Sequence, residues 1–121
     1  MKKIYQTKFG NKGNCFAACI ASILELDKIP EISGKKDKWF DEINKFLKPF
    51  GYWYIEFIIN DDDKLKYDNI PGYSIMIGST VREWKHAVVA LNGKIIHDPH
   101  PEGNGLDKIE LCGVFIKLDP S

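Results

Sequence analysis

The stretch Gly13-Asn14-Cys15-Phe16-Ala17-Ala18-Cys19-Ile20-Ala21-Ser22-Ile23-Leu24 decides the fold. Asn14 is a residue type that caps helix N-termini. Gly10, Lys12 and Gly13 give it a turn-rich approach. The spacing predicts a helix from about Asn14 to Glu25. Cys15, Ala18, Cys19, Ser22, Ile23 and Leu26 share one face, and Phe16, Ile20 and Leu24 cover the opposite one. A helix apolar nearly all round, with small residues on it, is the central helix of a small domain. Cys15 falls in its first turn, where unpaired N–H groups and the positive end of the helix dipole favour a thiolate. Its bland reading is a small buried hydrophobe.

Composition narrows the classes. A chain of 121 residues has room for one domain, residues 1–121, and one core. Lys plus Arg and Asp plus Glu both number 17, so the formal net charge is zero. That balance gives no footprint for nucleic acid or an anionic membrane. Met1-Lys2-Lys3 is followed by polar residues, which is not a signal peptide, and no apolar run reaches spanning length. The 3 cysteines cannot all pair within the chain. Cys15 and Cys19 rise in parallel from one helix, a poor disulfide geometry. Reduced thiols and a cytoplasmic location are expected.

Working outward, residues 1–13 read as irregular. Pro30 ends the first helix region, and residues 31–38 read as a charged loop. A second, amphipathic helix is predicted from Trp39 to Lys48, with Asp37 as its cap and Pro49 and Gly51 closing it. Tyr52 to Ile59 is β-rich. The acidic run Asp61-Asp62-Asp63 lacks the spacing of a calcium loop and reads as a solvated turn. Strands follow at Tyr73–Gly78, Trp84–Leu91, Lys94–Asp98 and Ile109–Leu118, the last with Gly113 at a suspected bulge. Cys112 reads as structural. Helices first and an antiparallel sheet afterwards make an α+β domain.

Asn92-Gly93 is a hairpin signal that fits two loops. A two-residue turn pairs Leu91 with Lys94, sets Asp98 opposite Ala87 and turns it away from His86. A three-residue loop pairs Ala90 with Lys94 and sets Asp98 directly opposite His86, with roughly 5 Å between Cβ atoms. The sequence leaves both open. The second register brings imidazole and carboxylate together, which fixes a tautomer and supports imidazolium. A nucleophilic cysteine needs a base, and the base needs an orienting group. Cys15, His86 and Asp98 supply all three.

With those residues in hand, the sequence resembles the papain-like cysteine peptidase superfamily. It is closest to the double-glycine leader (bacteriocin-processing) peptidase branch and to small phage and bacterial proteins similar to it. The likeness rests on Asn14-Cys15-Phe16-Ala17-Ala18-Cys19 opening a helix, His86-Ala87-Val88-Val89 opening a strand, and Ile95-Ile96-His97-Asp98-Pro99 closing one. It touches residues 6–25 and 73–106. The resemblance implies a papain-like fold, with the cysteine-bearing helix packed on an antiparallel sheet. It also implies a thiol hydrolase, peptidase or amidase, that works through a thioester without a cofactor. The family's oxyanion glutamine maps onto Gln6, the sole glutamine, which stands nine residues before Cys15 where the family has about six. Asn11 or Asn14 are alternative donors. Asn14, Trp84 and His100 are candidate substrate contacts.

Other readings compete. Acyl transfer uses the same chemistry, with an amine in place of water. Cys15, Cys19, His97 and His100 can be written as a Cys2His2 zinc set, although Cys19 reads better as core and no metal is expected. A non-catalytic phage-type binding or inhibitor protein with a host-protein target is a further alternative. Trp84 and Trp53 read as groove or core aromatics. The expected partner is a peptide or an amide or thioester substrate.

Overall fold

The computed structural model describes residues 1–10, 13–32, 38–59, 70–80 and 85–119. Helix α1 spans Cys15–Leu24 and α2 spans Trp39–Leu47, followed by a 3-10 turn at Lys48–Phe50. The strands are β1 (Tyr52–Ile58), β2 (Tyr73–Ser79), β3 (His86–Leu91), β4 (Lys94–His97) and β5 (Lys108–Lys117). They form one sheet in the order β1-β5-β2-β3-β4, with every neighbouring pair antiparallel. The α+β expectation holds, with boundaries one or two residues from those read in the sequence. Among the described residues, no helix is long and apolar enough to cross a membrane. Asp37, Trp84 and the acidic run at 61–63 lie outside the described residues.

Both helices pack on one face of the sheet. Cys19 and Ile20 of α1 and Ile43 and Leu47 of α2 form a single buried cluster with Tyr54, Ile75, Ala87 and Val89. Alternation sends Met76, Val88, Ala90 and Cys112 to the opposite face, where Leu106 and Ile109 pack against them. A helix that is apolar all round is explained by its place: Ala17 through Ser22 are all buried. Glu25 adopts a left-handed conformation (φ 56°) and ends α1 ahead of Pro30.

Two devices fit the elements together. Asn44 of α2 treats β1 as a neighbouring strand would. Its Oδ1 accepts the Tyr54 N–H at 2.6 Å, and its Nδ2 donates to the Tyr54 carbonyl at 3.3 Å. This satisfies the outward backbone groups of an edge strand at its most buried residue. Gly113 gives the Tyr54 ring its place, since a Cβ there would lie 1.9 Å from the Tyr54 hydroxyl. Gly113 pairs regularly with Glu56 and Ile75, so it does not mark a bulge; that shift falls between Ile77 and Gly78.

Replacing Asn44 by Ala leaves the buried Tyr54 N–H and carbonyl without partners. The expected loss is about 1–3 kcal/mol in urea unfolding. Asn44→Asp, which keeps the acceptor, should lose less. Equal and negligible losses in both variants would refute the pairing.

Candidate active site

The Asn92-Gly93 hairpin settles into a form that neither sequence register describes alone. Positive φ at both residues (52° and 82°) makes the two-residue type I′ turn. Leu91 therefore pairs with Lys94 and Ala90 with Ile95. The register then shifts, and Val89 pairs with His97, leaving Ile96 as the extra residue. One inserted residue reverses the facing of everything after it. His97 joins Val89 on the helix face, where its Nε2 lies 2.8 Å from the Ile4 carbonyl. Asp98 turns to the other face, that of His86. The turn is the one expected to separate the pair, and the bulge brings them together.

The contact is close. His86 Nε2 lies 2.5 Å from Asp98 Oδ1, with the two side chains 4% and 7% exposed. Asp98 is itself clamped. Its Oδ1 also accepts the His100 N–H at 2.8 Å, and its Oδ2 accepts the Gly105 N–H at 2.7 Å. Since Nε2 is committed to Asp98, Nδ1 is the ring nitrogen left for Cys15, which lies close enough to the imidazole to raise its pKa. Cys15 is half-buried at the first residue of α1.

The electrostatics follow. Burial is the largest single influence on His86 and pulls its pKa down. The hydrogen bonds to Asp98 and Cys15 and the negative charge of both outweigh burial, lifting the pKa from 6.5 to about 9. For Asp98, burial acts upward. The bonds from His86, His100 and Gly105 and the imidazolium charge overcome it and hold the carboxyl below its ordinary value. Cys19 is different: burial first, then the charges of Cys15 and Asp98, push its thiol well up. Burial also raises Cys112. Both are core residues.

Cys15 and His86 line a small cleft of about 50 Å³ with Gln6, Phe9, Gly10, Gly13, Lys85 and His100. Gln6 is 7% exposed. Its Nε2 donates to the Lys8 carbonyl at 2.9 Å and keeps a second hydrogen, while Oε1 has no partner among the described residues. Its backbone N–H donates to the Pro99 carbonyl, which ties it to the loop that carries Asp98. The Gly13 and Asn14 N–H groups bond to the Gly10 and Lys8 carbonyls, and Gln6 stands in the cleft with Cys15 despite the long spacing.

Asn14 precedes α1 but does not cap it through its side chain. Oδ1 accepts the Thr7 and Lys8 N–H groups and Nδ2 donates to Thr7 Oγ1, so the amide holds the Gln6 turn instead. Asn14 lines a second, larger cavity of about 1210 Å³ with Tyr5, Lys8, Phe16 and Trp39, and Gly13 lines both it and the small cleft. Asn11 and Trp84 lie outside the described residues. Lys85 was not singled out in the sequence; its place directly before His86 was the available signal. The zinc set is not brought together: His97 Nε2 is bonded to the Ile4 carbonyl, and Cys19 is buried in the core. Among the described residues, no group of three or more His, Cys, Asp or Glu is placed to hold a metal. Trp53 stands on edge strand β1, opposite Ile116 and away from the cleft.

No family model matches the chain, no curated protein matches it, and no solved structure matches it.

The shifts set a pH window. His86 has a raised pKa, so its stabilising contribution is complete below about 6.5 and is lost as pH rises through about 9. Asp98 has a lowered pKa, so its contribution is present above the ordinary carboxylate value and is lost as pH falls through its own. Urea unfolding between pH 7 and 10 should show a decline of about 1–3 kcal/mol that Asp98→Asn lacks. Parallel profiles in the two proteins would assign the decline to other groups.

Proposed function

We propose that this protein is a papain-like thiol hydrolase, a peptidase or amidase, with Cys15 as nucleophile, His86 as acid–base group and Asp98 as its orienting partner. The observation that carries this reading is the imidazole of His86, with its Nε2 2.5 Å from Asp98 and with Cys15 beside it in the same cleft. An antiparallel sheet receiving the N-terminus of a buried helix supports the papain-like assignment.

The steps follow from the proton positions. Asp98 fixes the neutral ring with its proton on Nε2, so Nδ1 takes the Cys15 proton. The thiolate attacks the carbonyl carbon of an amide, and the C=O electron pair moves to oxygen. The Cys15 backbone N–H and the free hydrogen of Gln6 Nε2 receive that oxyanion. The C–N bond breaks as His86 Nδ1 returns its proton to the leaving amine, leaving a thioester on Cys15. Water then attacks, with Nδ1 taking its proton. The C–S bond breaks and the acid departs. An amine in place of water makes the same intermediate an acyl donor.

Cys15 should be alkylated by iodoacetamide at pH 7 at least about tenfold faster than the thiols of the urea-unfolded chain, read by peptide mapping, and His86→Ala should abolish the excess. A Cys15 rate equal in the two folded proteins overturns the reading. Gln6→Ala should leave alkylation fast, because that displacement forms no oxyanion, yet lower amide turnover about 100- to 1,000-fold.

A further inference from the structure

We infer that Lys85 and His100 form a carboxylate-binding pair on the leaving-group side of the cleft. The substrate is then an amide whose departing amine carries a carboxylate, as the C-terminal residue of a peptide does. The inference rests on the hydrolase reading and deepens it.

Three observations carry it. The first is position. His86 delivers its proton to the leaving amine, so the groups around His86 surround that amine. Lys85 precedes His86 and lines the same cleft. The His100 ring stands edge-on to the His86 ring, with centroids 6.2 Å apart.

The second is hydrogen-bonding character. The Glu102 N–H donates to His100 Nδ1 at 3.1 Å. A neutral ring that accepts at Nδ1 carries its proton on Nε2, so that nitrogen is set as a donor. The His100 backbone is fixed by its own N–H bond to Asp98. Lys85 Nζ is hydrogen-bonded to both carboxylate oxygens of Glu110, which anchors a side chain that stays 69% exposed. An ammonium has three hydrogens, so it can hold Glu110 and still donate to a ligand. Two donors, one of them cationic, suit an anion with two oxygens.

The third is size. The cleft holds about 50 Å³, against about 1210 Å³ for the cavity on the other side of their shared lining residue, Gly13. The acyl chain has room in the large cavity. The small cleft suits one residue, which ends there in a carboxylate.

The test uses two reagents, 2-carboxyethyl and 2-carbamoylethyl methanethiosulfonate. Cys15 attacks the sulfenyl sulfur, a disulfide forms and methanesulfinate leaves. The carboxylate carbon sits three bonds from the attacked atom, as it does in an α-amino acid leaving from a carbonyl. The readout is the ratio of the two rates at Cys15, normalised to the urea-unfolded chain. The wild-type ratio should exceed the ratios in Lys85→Met and His100→Phe by about three- to fivefold, and Lys85→Arg should restore it. Fast carbamoylethyl labelling with a ratio unmoved by both substitutions overturns this inference and leaves the hydrolase reading standing. Carbamoylethyl labelling no faster than in the unfolded chain defeats the hydrolase reading. A ratio that still falls in the two variants then supports the anion site on its own.

Discussion

The carboxylate of Asp98 takes hydrogen bonds from three parts of the chain: the ring of His86 on β3, the N–H of His100 two residues on, and the N–H of Gly105 at the far end of the loop. Each bond serves a different purpose. The first sets the tautomer of the imidazole. The other two close residues 98–105 into a fixed turn and place His100 in the cleft. The next residue, Pro99, offers its carbonyl to the Gln6 N–H and so anchors the opposite wall. A charged acceptor bonded on both oxygens is worth more than a neutral one and tolerates less displacement. Removing this carboxylate would free the His86 ring, the loop and the Gln6 strap together.

The other half of the site hangs on α1. Ser22 Oγ accepts the Ile4 N–H and lies within bonding distance of the Ile4 and Ala18 carbonyls. About two turns of helix therefore separate the anchor of the N-terminal segment from Cys15. Asn14 completes the strap at its other end through Thr7 and Lys8. Gln6 lies between these two anchors. The buried amide of Gln6 is held by these two ties to one rigid helix together with its own bonds to Pro99 and Lys8.

Much of this was legible in the sequence, and what was not has physical causes. The central helix declared itself through its small apolar residues, and the second helix through its stripe from Trp39 to Leu47. Asn92-Gly93 marked the hairpin but left its two loop forms open. The bulge stayed hidden because Ile95 and Ile96 are both apolar. Either can face the core, so alternation does not say where a residue is inserted. Asn14 looked like a cap because asparagine is a good one, and nothing local shows that its amide is taken by Thr7 and Lys8. Asn44 sits in the apolar stripe of α2 as an apparent defect. Its partner, the Tyr54 backbone, comes from another element and leaves no mark in the sequence around it. Lys85 was marked only by its place before His86, because its ion-pair partner, Glu110, is 25 residues away.

Stability alone does not account for the charges at the cleft. Burial works against both members of the pair: it lowers the basicity of His86 and raises the pKa of Asp98, and in each it is the largest single influence. An apolar pair of similar volume avoids that penalty, and replacing buried ion pairs in this way is often neutral or favourable by about 1–4 kcal/mol. The fold has apolar solutions at hand, since Val88 and Ala90 continue the face on which His86 begins. A chain selected only to stay folded, or to present a passive binding surface, has no use for an oriented imidazolium beside a thiol. A chain that must move a proton between sulfur and nitrogen needs it, together with the low dielectric that makes it costly. The same low dielectric strengthens the attraction of an imidazolium for a thiolate. The burial that costs stability at this corner of the sheet is what makes the corner suited to the proposed chemistry.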